Sequence, residues 1–376
     1  QLVRCCLEDL VMGKLHGLCI GLDVCATLHM DVSLDDLDWC LEQVMPARPA
    51  YLMALPTKVD PMLGYLTTGF QDHVRLRRKF RCRGEPRMEQ FFQRLGTLDA
   101  DGRPGPRFGD PAWVHLQFRR ACGDTRSDEA IRAEGQAEMA AVRSRGVFLA
   151  AGHGRLPEDL EPGLAATIGR IYVDAKQSIW AEFDEGFRES QAGSLVLATE
   201  SQDRRDYILH PTSGEHLAEA AAATVATERD RQAGESDVQI VISDGLNPLA
   251  IMDLGQLEPF LESLTAGLVA AGYQPAPRRM LITSGRVRAG YRIGEMLFGG
   301  LSGPRALLHV VGERPGTGHR TFSVYITCRR GDEWGVENTT DHQHTRVVAG
   351  IATTALEPRR GAADVVRVLE GEWRRA

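Results

Sequence analysis

The chain has 376 residues and a formal net charge of −7. This length suggests two or three domains, and the negative charge argues against a nucleic-acid partner, which would favour a basic domain. No apolar run approaches the roughly 20 residues that span a bilayer. The eight cysteines form no CxxC pair, so we expect no structural zinc site, and their low density in a long chain argues against a disulfide scaffold. Buried free thiols in a reducing cytoplasm are the simplest expectation.

The first 70 residues predict a strand–helix–strand unit. The run LHGLCIGLDVC is typical of a buried strand that ends near Asp23, and AYLMALP is typical of a second strand that ends near Met53. Between them, Ser33 is suited to cap a helix over LDDLDWCLEQV, with its apolar residues on one face. Fully apolar strands joined by a helix favour a parallel sheet that is covered on both faces.

The segment from about residue 67 to residue 200 is mostly helical in pattern. Its stretch GRPGPRFGDP is the best candidate for a domain end, because Gly and Pro interrupt regular structure. Two helices follow, the first capped by Ser127, and they predict a connector between folded parts. The chain opens with Gln1 inside an amphipathic helix, and we interpret this start as the loss of an N-terminal part.

The C-terminal part predicts a Rossmann-like α/β domain. VQIVIS, RMLITS and ALLHVV are three apolar runs rich in β-branched residues. A helix from about Leu257 to Ala271, with Gly272 as its stop, separates the first two runs, and the helical segment YRIGEMLF separates the second and third. This β-α-β-α-β pattern favours parallel strands with right-handed crossovers.

Three loops leave the carboxyl ends of these strands, where open parallel sheets bind ligands. Their sequences are SDGLN, SGRV and GERPGTGHR. Glycines allow a ligand to approach the backbone closely, and exposed backbone N–H groups with Arg286 or Arg314 can hold amides or phosphate. The alternative is that these are tight turns with solvated charges. GERPGTGHR lacks the GK[ST] ending of a P-loop and is not a Rossmann GxGxxG.

The segment DHQHTR is a further candidate. Alternation in a strand would put His342 and His344 on one face as a metal-binding pair. Because no third ligand lies nearby in the sequence, a solvated strand end is the favoured reading.

The order of residues adds a family resemblance. MGKLHGLCIGLDVCATLHMD, LMALPTKVDPMLGYLTTGFQDHVRLRRKF and FGDP resemble the C-terminal end of the large subunit of ethanolamine ammonia-lyase, which is a TIM barrel. SDGL, SGRVRAGYRIGEMLFGG and HVVGERPGTG resemble the small subunit, an α/β domain that covers one face of the cobalamin. The resemblance implies the C-terminal piece of a TIM (β/α)8 barrel over residues 1–115 and a cobalamin-binding α/β domain over 201–376. The helical connector over 116–200 departs from the family, in which the two subunits are usually separate chains.

Two positions of the barrel part match substrate contacts of the family, and one matches a cofactor contact. The resemblance implies that Asp23 holds the substrate ammonium and that Met53 lines the substrate pocket. A carboxylate beside an ammonium forms a strong, charge-assisted hydrogen bond. The resemblance also implies that Met62 contacts cobalamin.

Three positions of the α/β part match cobalamin contacts of the small subunit. They are Val287, Glu313 and Val347, and the family usually has a different residue at the last of these. No protein ligand to cobalt is implied, because Asp341 is followed directly by His342 and the DxHxxG motif is absent.

The implied activity is the radical conversion of ethanolamine to acetaldehyde and ammonia, with adenosylcobalamin carrying the difficult chemistry. The resemblance further implies self-association into a larger oligomer in the cytoplasm or a bacterial microcompartment, with no nucleic-acid or membrane partner. The family's radical-controlling arginine and glutamate lie earlier in the barrel than Gln1. We therefore assign no certain catalytic residue here and expect the chain alone to be inactive.

Two other interpretations remain open. A non-catalytic cobalamin-binding or assembly module would bind the cofactor without turnover. A nucleotide-binding α/β enzyme would fit the pattern of strands and helices alone, but the missing phosphate fingerprint argues against it.

Overall fold

The computed structural model describes residues 1–60, 64–145, 147–232, 234–315 and 319–376. The chain divides into two compact units. Unit 1 comprises residues 1–175, and unit 2 comprises residues 176–315 and 319–376. No helix in the described ranges has both the length and the apolar character required to cross a lipid bilayer.

Unit 1 is built from helices and irregular segments. Its helices are α1 (Leu2–Leu15), α2 (Leu34–Val44), α3 (Phe70–Phe80), α4 (Pro86–Arg94), α5 (Pro111–Ala121) and α6 (Asp128–Ser144), with a 3-10 turn at Met45–Ala47. Helix α7 (Pro162–Ile179) contains the boundary with unit 2.

The predicted cap of α2 is confirmed. The Ser33 hydroxyl accepts a hydrogen bond from the Asp36 N–H over 3.1 Å, and the Asp36 carboxylate accepts one from the Ser33 N–H over 2.9 Å. This reciprocal arrangement satisfies two donors that the first turn of a helix leaves free. Leu37, Leu41 and Val44 are fully buried on the inner face of the helix.

The two strands predicted on either side of α2 are much shorter than expected. They meet in one isolated parallel bridge between Leu22 and Leu52. The Leu22 N–H donates to the Tyr51 carbonyl over 3.0 Å, and the Met53 N–H donates to the Leu22 carbonyl over 2.9 Å. The parallel direction is confirmed, but regular strands over these runs are not formed. An apolar run becomes a long strand only where neighbouring backbone continues to bond its edges.

Unit 2 alternates strands and helices. Its strands are β1 (Leu195–Ala198), β2 (Val238–Ser243), β3 (Met280–Thr283), β4 (Pro304–Gly312), β5 (Phe322–Arg330) and β6 (Thr345–Ile351). Its helices are α8 (Glu185–Ser190), α9 (Arg204–Leu209), α10 (Glu219–Gln232), α11 (Pro248–Met252), α12 (Leu254–Ala270), α13 (Val287–Phe298), α14 (Gly331–Trp334) and α15 (Pro358–Trp373). Short 3-10 turns lie at Pro211–Gly214 and His342–His344.

The six strands form one sheet in the order β1-β3-β2-β4-β5-β6. The first four strands are parallel, whereas β5 and β6 run antiparallel to their neighbours. The predicted parallel arrangement of β2, β3 and β4 is therefore confirmed. Every residue of β2 is buried, as expected for a central strand that is covered on both faces.

Alternate residues of β2 face two different apolar cores. Ile240 packs with Phe260 and Leu264 of α12 on one side of the sheet. Val241 packs with Ile293 of α13 on the other side. Because side chains of a strand alternate between faces, the single run VQIVIS supplies both cores. The sheet is thereby fixed between α12 and α15 on one face and α10 and α13 on the other.

The end of α12 is also as predicted. Gly272 follows the helix with a φ of +88°, and its N–H donates to the Val269 carbonyl over 3.0 Å. A residue without a Cβ adopts this left-handed conformation readily. The chain can therefore turn sharply towards β3.

Candidate functional site

The carboxyl ends of β2, β3 and β4 lie at one edge of the unit 2 sheet, because these strands are adjacent and parallel. The loops that leave them are the predicted SDGLN, SGRV and GERPGTGHR segments, of which the last is described only in part. We refer to residues 284–286, between β3 and α13, as the β3–α13 loop.

Asp244 connects the first two of these loops. Its carboxylate accepts hydrogen bonds from the Ser284 N–H over 2.9 Å and from the Gly285 N–H over 3.1 Å. Asp244 is buried, so each of these charge-assisted bonds acts where water competes little. The backbone of the β3–α13 loop is therefore held directly by a side chain from the end of β2.

A buried arginine from α9 neutralises this carboxylate. Arg204 Nη1 lies 3.3 Å from the Asp244 carboxylate and donates to the Gly245 carbonyl over 2.9 Å, while Nε donates to the Ile179 carbonyl over 2.9 Å. Burial raises the pKa of Asp244, and the Arg204 charge and backbone N–H groups oppose that change. Burial likewise lowers the pKa of Arg204. Two charges can remain inside the protein because each compensates the other.

Tyr207 of α9 adds a second anchor. Its hydroxyl donates to the Gly285 carbonyl over 3.2 Å. The guanidinium groups of Arg204 and Arg286 stack on its ring, with centroid distances of 4.9 Å and 4.4 Å. Arg286 also donates to the Tyr207 carbonyl over 2.8 Å. Burial raises the pKa of Tyr207 well above its usual range, so the phenol remains a hydrogen-bond donor.

His309 of β4 supports the same loop from the core side. Its Nε2 lies 2.9 Å from the Ser243 hydroxyl, which donates to the Gly285 carbonyl over 3.3 Å. Complete burial lowers the pKa of His309 to about 4. The imidazole is therefore neutral at physiological pH.

Every backbone N–H and C=O group of the β3–α13 loop forms a hydrogen bond within the protein. Besides the bonds already named, the Ser284 carbonyl accepts from the Thr199 hydroxyl, the Arg286 N–H donates to the Gly214 carbonyl, and the Arg286 carbonyl accepts from the Ala289 N–H. The prediction that N–H groups of this loop are exposed for a ligand is therefore wrong. Asp244 and Gly214 take these donors, and Arg286 itself is bound to Tyr207. The loop instead positions Val287, the first residue of α13.

Two of the predicted cobalamin contacts share a neighbour on the sheet. The Tyr325 hydroxyl of β5 donates to the Glu313 carboxylate over 3.3 Å, and Tyr325 is the cross-strand partner of Val347 on β6. Glu313 is half-buried, whereas Val347 is exposed. A carboxylate acceptor and an apolar side chain therefore lie beside one tyrosine.

Val287 lies on the helix that packs beside this region. It is half-buried and precedes Tyr291 by one helical turn on α13. The Tyr291 hydroxyl accepts a hydrogen bond from Thr345 of β6 over 3.0 Å. Since Thr345 and Val347 are two residues apart on one strand, they face the same side. The start of α13 and the exposed part of β6 thus belong to one side of the sheet.

The predicted substrate residues are side by side in unit 1. Asp23 and Met53 each follow a residue of the Leu22–Leu52 bridge, at the same end of the two segments. Both side chains are exposed, and the Asp23 carboxylate accepts a hydrogen bond from the Thr67 hydroxyl. Met62, the predicted cobalamin contact of this unit, lies outside the described residues.

The candidate histidine pair does not lie in a strand. His342 and His344 occupy a 3-10 turn before β6, so strand alternation does not bring them to one face. Instead, Nδ1 of His342 lies 2.8 Å from the Tyr291 hydroxyl oxygen. In the described part of the chain, no group of three His, Cys, Asp or Glu side chains is arranged to hold a metal ion.

Sequence reasoning missed several residues of this site. A usable signal existed for His309, which interrupts the apolar run ALLHVV. Arg204 and Tyr207 gave no comparable signal, because their partners Asp244 and Gly285 lie far away in the sequence.

Comparisons with known proteins identify both parts of the chain. The family described as "Ethanolamine ammonia lyase large subunit (EutB)" matches residues 1–107, and the family "Ethanolamine ammonia-lyase light chain (EutC)" matches residues 164–376. The large subunit of Escherichia coli (strain K12) is 36% identical over 112 residues, which are 30% of this chain and 24% of that protein.

The small subunits of pseudomonads match the second part. That of Pseudomonas putida (strain GB-1) is 31% identical over 180 residues, which are 46% of this chain and 63% of that protein. That of Pseudomonas aeruginosa (strain LESB58) is 31% identical over 162 residues, which are 42% of this chain and 56% of that protein. The chain thus spans about a quarter of the large subunit and less than two thirds of the small subunits. It belongs to the ethanolamine ammonia-lyase family and joins a large-subunit region to a light-chain region in one polypeptide.

Proposed function

We propose that this chain works as part of an adenosylcobalamin-dependent ethanolamine ammonia-lyase, which converts ethanolamine to acetaldehyde and ammonia. One observation carries the cofactor assignment. Glu313 and Val347 lie beside Tyr325 on the side of the sheet where α13 begins with Val287. All three belong to the region that matches the light-chain family.

The chemistry of these side chains fits a corrin. The amide arms of a corrin carry N–H groups, and the Glu313 carboxylate can accept hydrogen bonds from them. The rim of the corrin is apolar and can pack on Val287 and Val347. When bound, adenosylcobalamin supplies radicals by cleavage of its cobalt–carbon bond. The residues of this chain orient the macrocycle, and their apolar groups exclude water from the edge that they cover.

Within unit 1, we assign the substrate ammonium to Asp23 and the pocket wall to Met53. The Thr67 hydroxyl donates to the Asp23 carboxylate and fixes its orientation. The second carboxylate oxygen can then accept a hydrogen bond from the ammonium group. Removal of water from such a pair strengthens it, because the effective dielectric constant falls.

We also propose a TIM-barrel origin for unit 1 and a Rossmann-like fold for unit 2. The parallel bridge between Leu22 and Leu52, with α2 connecting the two segments, fits the C-terminal piece of a TIM (β/α)8 barrel. The four parallel strands of unit 2, with helices on both faces, fit a Rossmann-like domain.

Unit 1 carries exposed apolar side chains that fit an assembly contact. Met12, Leu15 and Leu18 are exposed apolar side chains in and just after α1, and a concentration of such side chains is typical of protein–protein contact. We propose that this surface is covered by further large-subunit sequence in a larger oligomer, located in the cytoplasm or in a microcompartment.

Titration with cobalamin tests the proposal. Purified chain is mixed with adenosylcobalamin, binding is followed by the absorption spectrum, and ethanolamine is then added while acetaldehyde is measured. We expect binding without acetaldehyde from the chain alone, and acetaldehyde once a complete large subunit is present. Binding without acetaldehyde in both mixtures would instead identify a non-catalytic binding module. A chain that binds no cobalamin in either mixture contradicts the cofactor assignment.

A further inference from the structure

We propose that Asp244, supported by Arg204, is a positioning residue that sets the conformation of the β3–α13 loop and thereby the place of Val287. This inference rests on the proposed function only in taking cobalamin as the ligand that Val287 contacts. The positioning itself is a property of the ligand-free chain. Neither residue needs to touch the cofactor.

Hydrogen bonds hold all three residues of the β3–α13 loop. All six backbone N–H and C=O groups of residues 284–286 have hydrogen-bond partners. The partners come from Thr199, Tyr207, Gly214, Ser243, Asp244 and Ala289. Asp244 contributes two of these bonds, and they are the only ones in the set that involve a charged group. Of the six residues that bond to the loop, Asp244 is therefore the one whose replacement should disturb the loop most.

The β3–α13 loop begins with strained backbone. Ser284 has a φ of +58°, in the left-handed region that residues with a Cβ seldom adopt. Its N–H bonds to Asp244 and its carbonyl accepts from Thr199, so both ends of the strained residue are held from outside the loop. Strained backbone of this kind persists only where the surroundings over-determine it, and it is concentrated at ligand-binding sites.

The loops that follow β2, β3 and β4 pack closely around Asp244. A Cβ on Gly245 would overlap the Gly312 carbonyl, and a Cβ on Gly312 would overlap the Asp244 carbonyl. A Cβ on Gly285 would come within 2.8 Å of the Ser243 Cβ. The loops after β2, β3 and β4 therefore meet with almost no free space. A shift of Asp244 must therefore move both the β3–α13 loop and the end of β4, which Glu313 follows.

Arg204 opposes the rise in the pKa of Asp244 that burial causes. It fixes Asp244 through an ion pair and is itself held by two backbone carbonyls, those of Ile179 and Gly245. A neutral amide at position 244 would keep only one acceptor oxygen for the two loop N–H groups. It would also leave the buried Arg204 without a counter-charge, which is strongly unfavourable.

The test compares two buried carboxylates of unit 2 in the full chain. Asp244→Asn removes the loop anchor. Glu228→Gln is the matched control, since Glu228 is also fully buried and paired with arginines, Arg231 at 2.7 Å and Arg278, but does not contact the loop. Hydrogen exchange of the Ser284 and Gly285 amides is measured without ligand, and cyanocobalamin affinity is measured by absorption titration.

For Asp244→Asn we expect amide exchange at residues 284 and 285 to accelerate at least tenfold, and the Kd for cyanocobalamin to rise by about tenfold or more. For Glu228→Gln we expect a lower melting temperature but unchanged exchange at these two amides and an unchanged Kd. Rapid exchange in both variants, or in neither, overturns the inference. A general loss of stability would not separate the two variants in this way.

Tyr207→Phe provides a second variant in case Asp244→Asn does not fold. It removes only the hydroxyl that donates to the Gly285 carbonyl, and we expect a smaller acceleration of exchange centred on the same loop. No change at residues 284 and 285 in this variant also counts against the inference. If the unmodified chain binds no cyanocobalamin, the proposed function fails. The exchange measurements then still decide whether Asp244 positions the loop.

Discussion

The Tyr325 hydroxyl donates a hydrogen bond to the Glu313 carboxylate over 3.3 Å, joining β5 to the loop that leaves β4. Burial, and then the negative charge of Glu313, raise the pKa of Tyr325 above its usual range. The phenol therefore stays protonated, and its hydrogen bond uses one acceptor site of the Glu313 carboxylate. An ionised carboxylate has about four acceptor sites, so this one hydrogen bond uses only part of the capacity of Glu313.

Replacement of Glu313 tests its assignment to cobalamin. We expect Glu313→Lys to raise the Kd for cobalamin at least tenfold, equivalent to about 1.4 kcal/mol, because an acceptor is lost and a bulky cation enters. The measurement is an absorption titration of the full chain. Glu189→Lys, an exposed residue of α8, makes the same change of charge and should leave the Kd unchanged. Equal affinities in the two variants would remove Glu313 from the site.

Replacement of Asp23 tests the substrate assignment. We expect Asp23→Ala to weaken ethanolamine binding to the assembled, cobalamin-loaded enzyme, in which the site is closed off from water, while cobalamin affinity is retained. Loss of one partner from a charged, hydrogen-bonded pair closed off from water costs about 2–5 kcal/mol. Calorimetric titration with ethanolamine measures the change, with the exposed Asp31→Ala as control. An ethanolamine affinity that is the same in both variants would contradict a role for Asp23.

The buried His309 predicts a pH dependence of stability. Its pKa in the folded chain is about 4, below the ordinary value of 6.5, so the unfolded chain binds more protons between these values. The contribution of the neutral His309 to the free energy of unfolding is therefore fully present above about pH 6.5 and is lost as the pH falls towards 4. The difference in pKa corresponds to about 3 kcal/mol.

Urea unfolding of the parent chain and of His309→Gln at several pH values tests this contribution. From pH 7 to pH 4 we expect the free energy of unfolding of the parent chain to fall by about 3 kcal/mol relative to that of His309→Gln. His216→Gln, at an exposed position of the same unit, should show no such change. A constant difference for His309→Gln would mean that this histidine is not buried as a neutral base.

Two helical glycines of unit 2 predict opposite effects of the same substitution. A Cβ on Gly294 of α13 would overlap the ring of Trp334, which is fully buried and donates from Nε1 to the Arg305 carbonyl over 3.1 Å. We expect Gly294→Ala to destabilise the protein by about 1–3 kcal/mol, as is usual for overpacking. A Cβ on Gly371 of α15 meets no atom within 4 Å.

We expect Gly371→Ala to stabilise the protein by about 0.4–1 kcal/mol, because alanine reduces the conformational entropy of the unfolded chain. Urea unfolding measures both variants. The prediction fails if Gly294→Ala is as stable as Gly371→Ala, since the ring of Trp334 would then not limit the space beside α13.

Local features of the molecule could be predicted from the sequence alone. The Ser33 cap and the Gly272 stop depend on residues that are close together in the chain, and each of the three parallel strands of unit 2 is indicated by its own apolar run. A cap needs only the next turn of helix, and a fully apolar run indicates burial wherever it packs. The family could also be identified at this level, because long phrases of sequence carry it.

Other features were decided only by tertiary structure. The antiparallel β5 and β6, the short bridge at Leu22 and the turn that holds His342 depend on which backbone lies alongside. The same is true of the Arg204–Asp244 pair, whose members are 40 residues apart. The sequence determined where apolar and turn-forming residues occur, and therefore which segments are buried and where they end. Only the folded chain determined which buried polar groups meet, because a hydrogen bond between distant residues forms where packing brings its two atoms within about 3 Å.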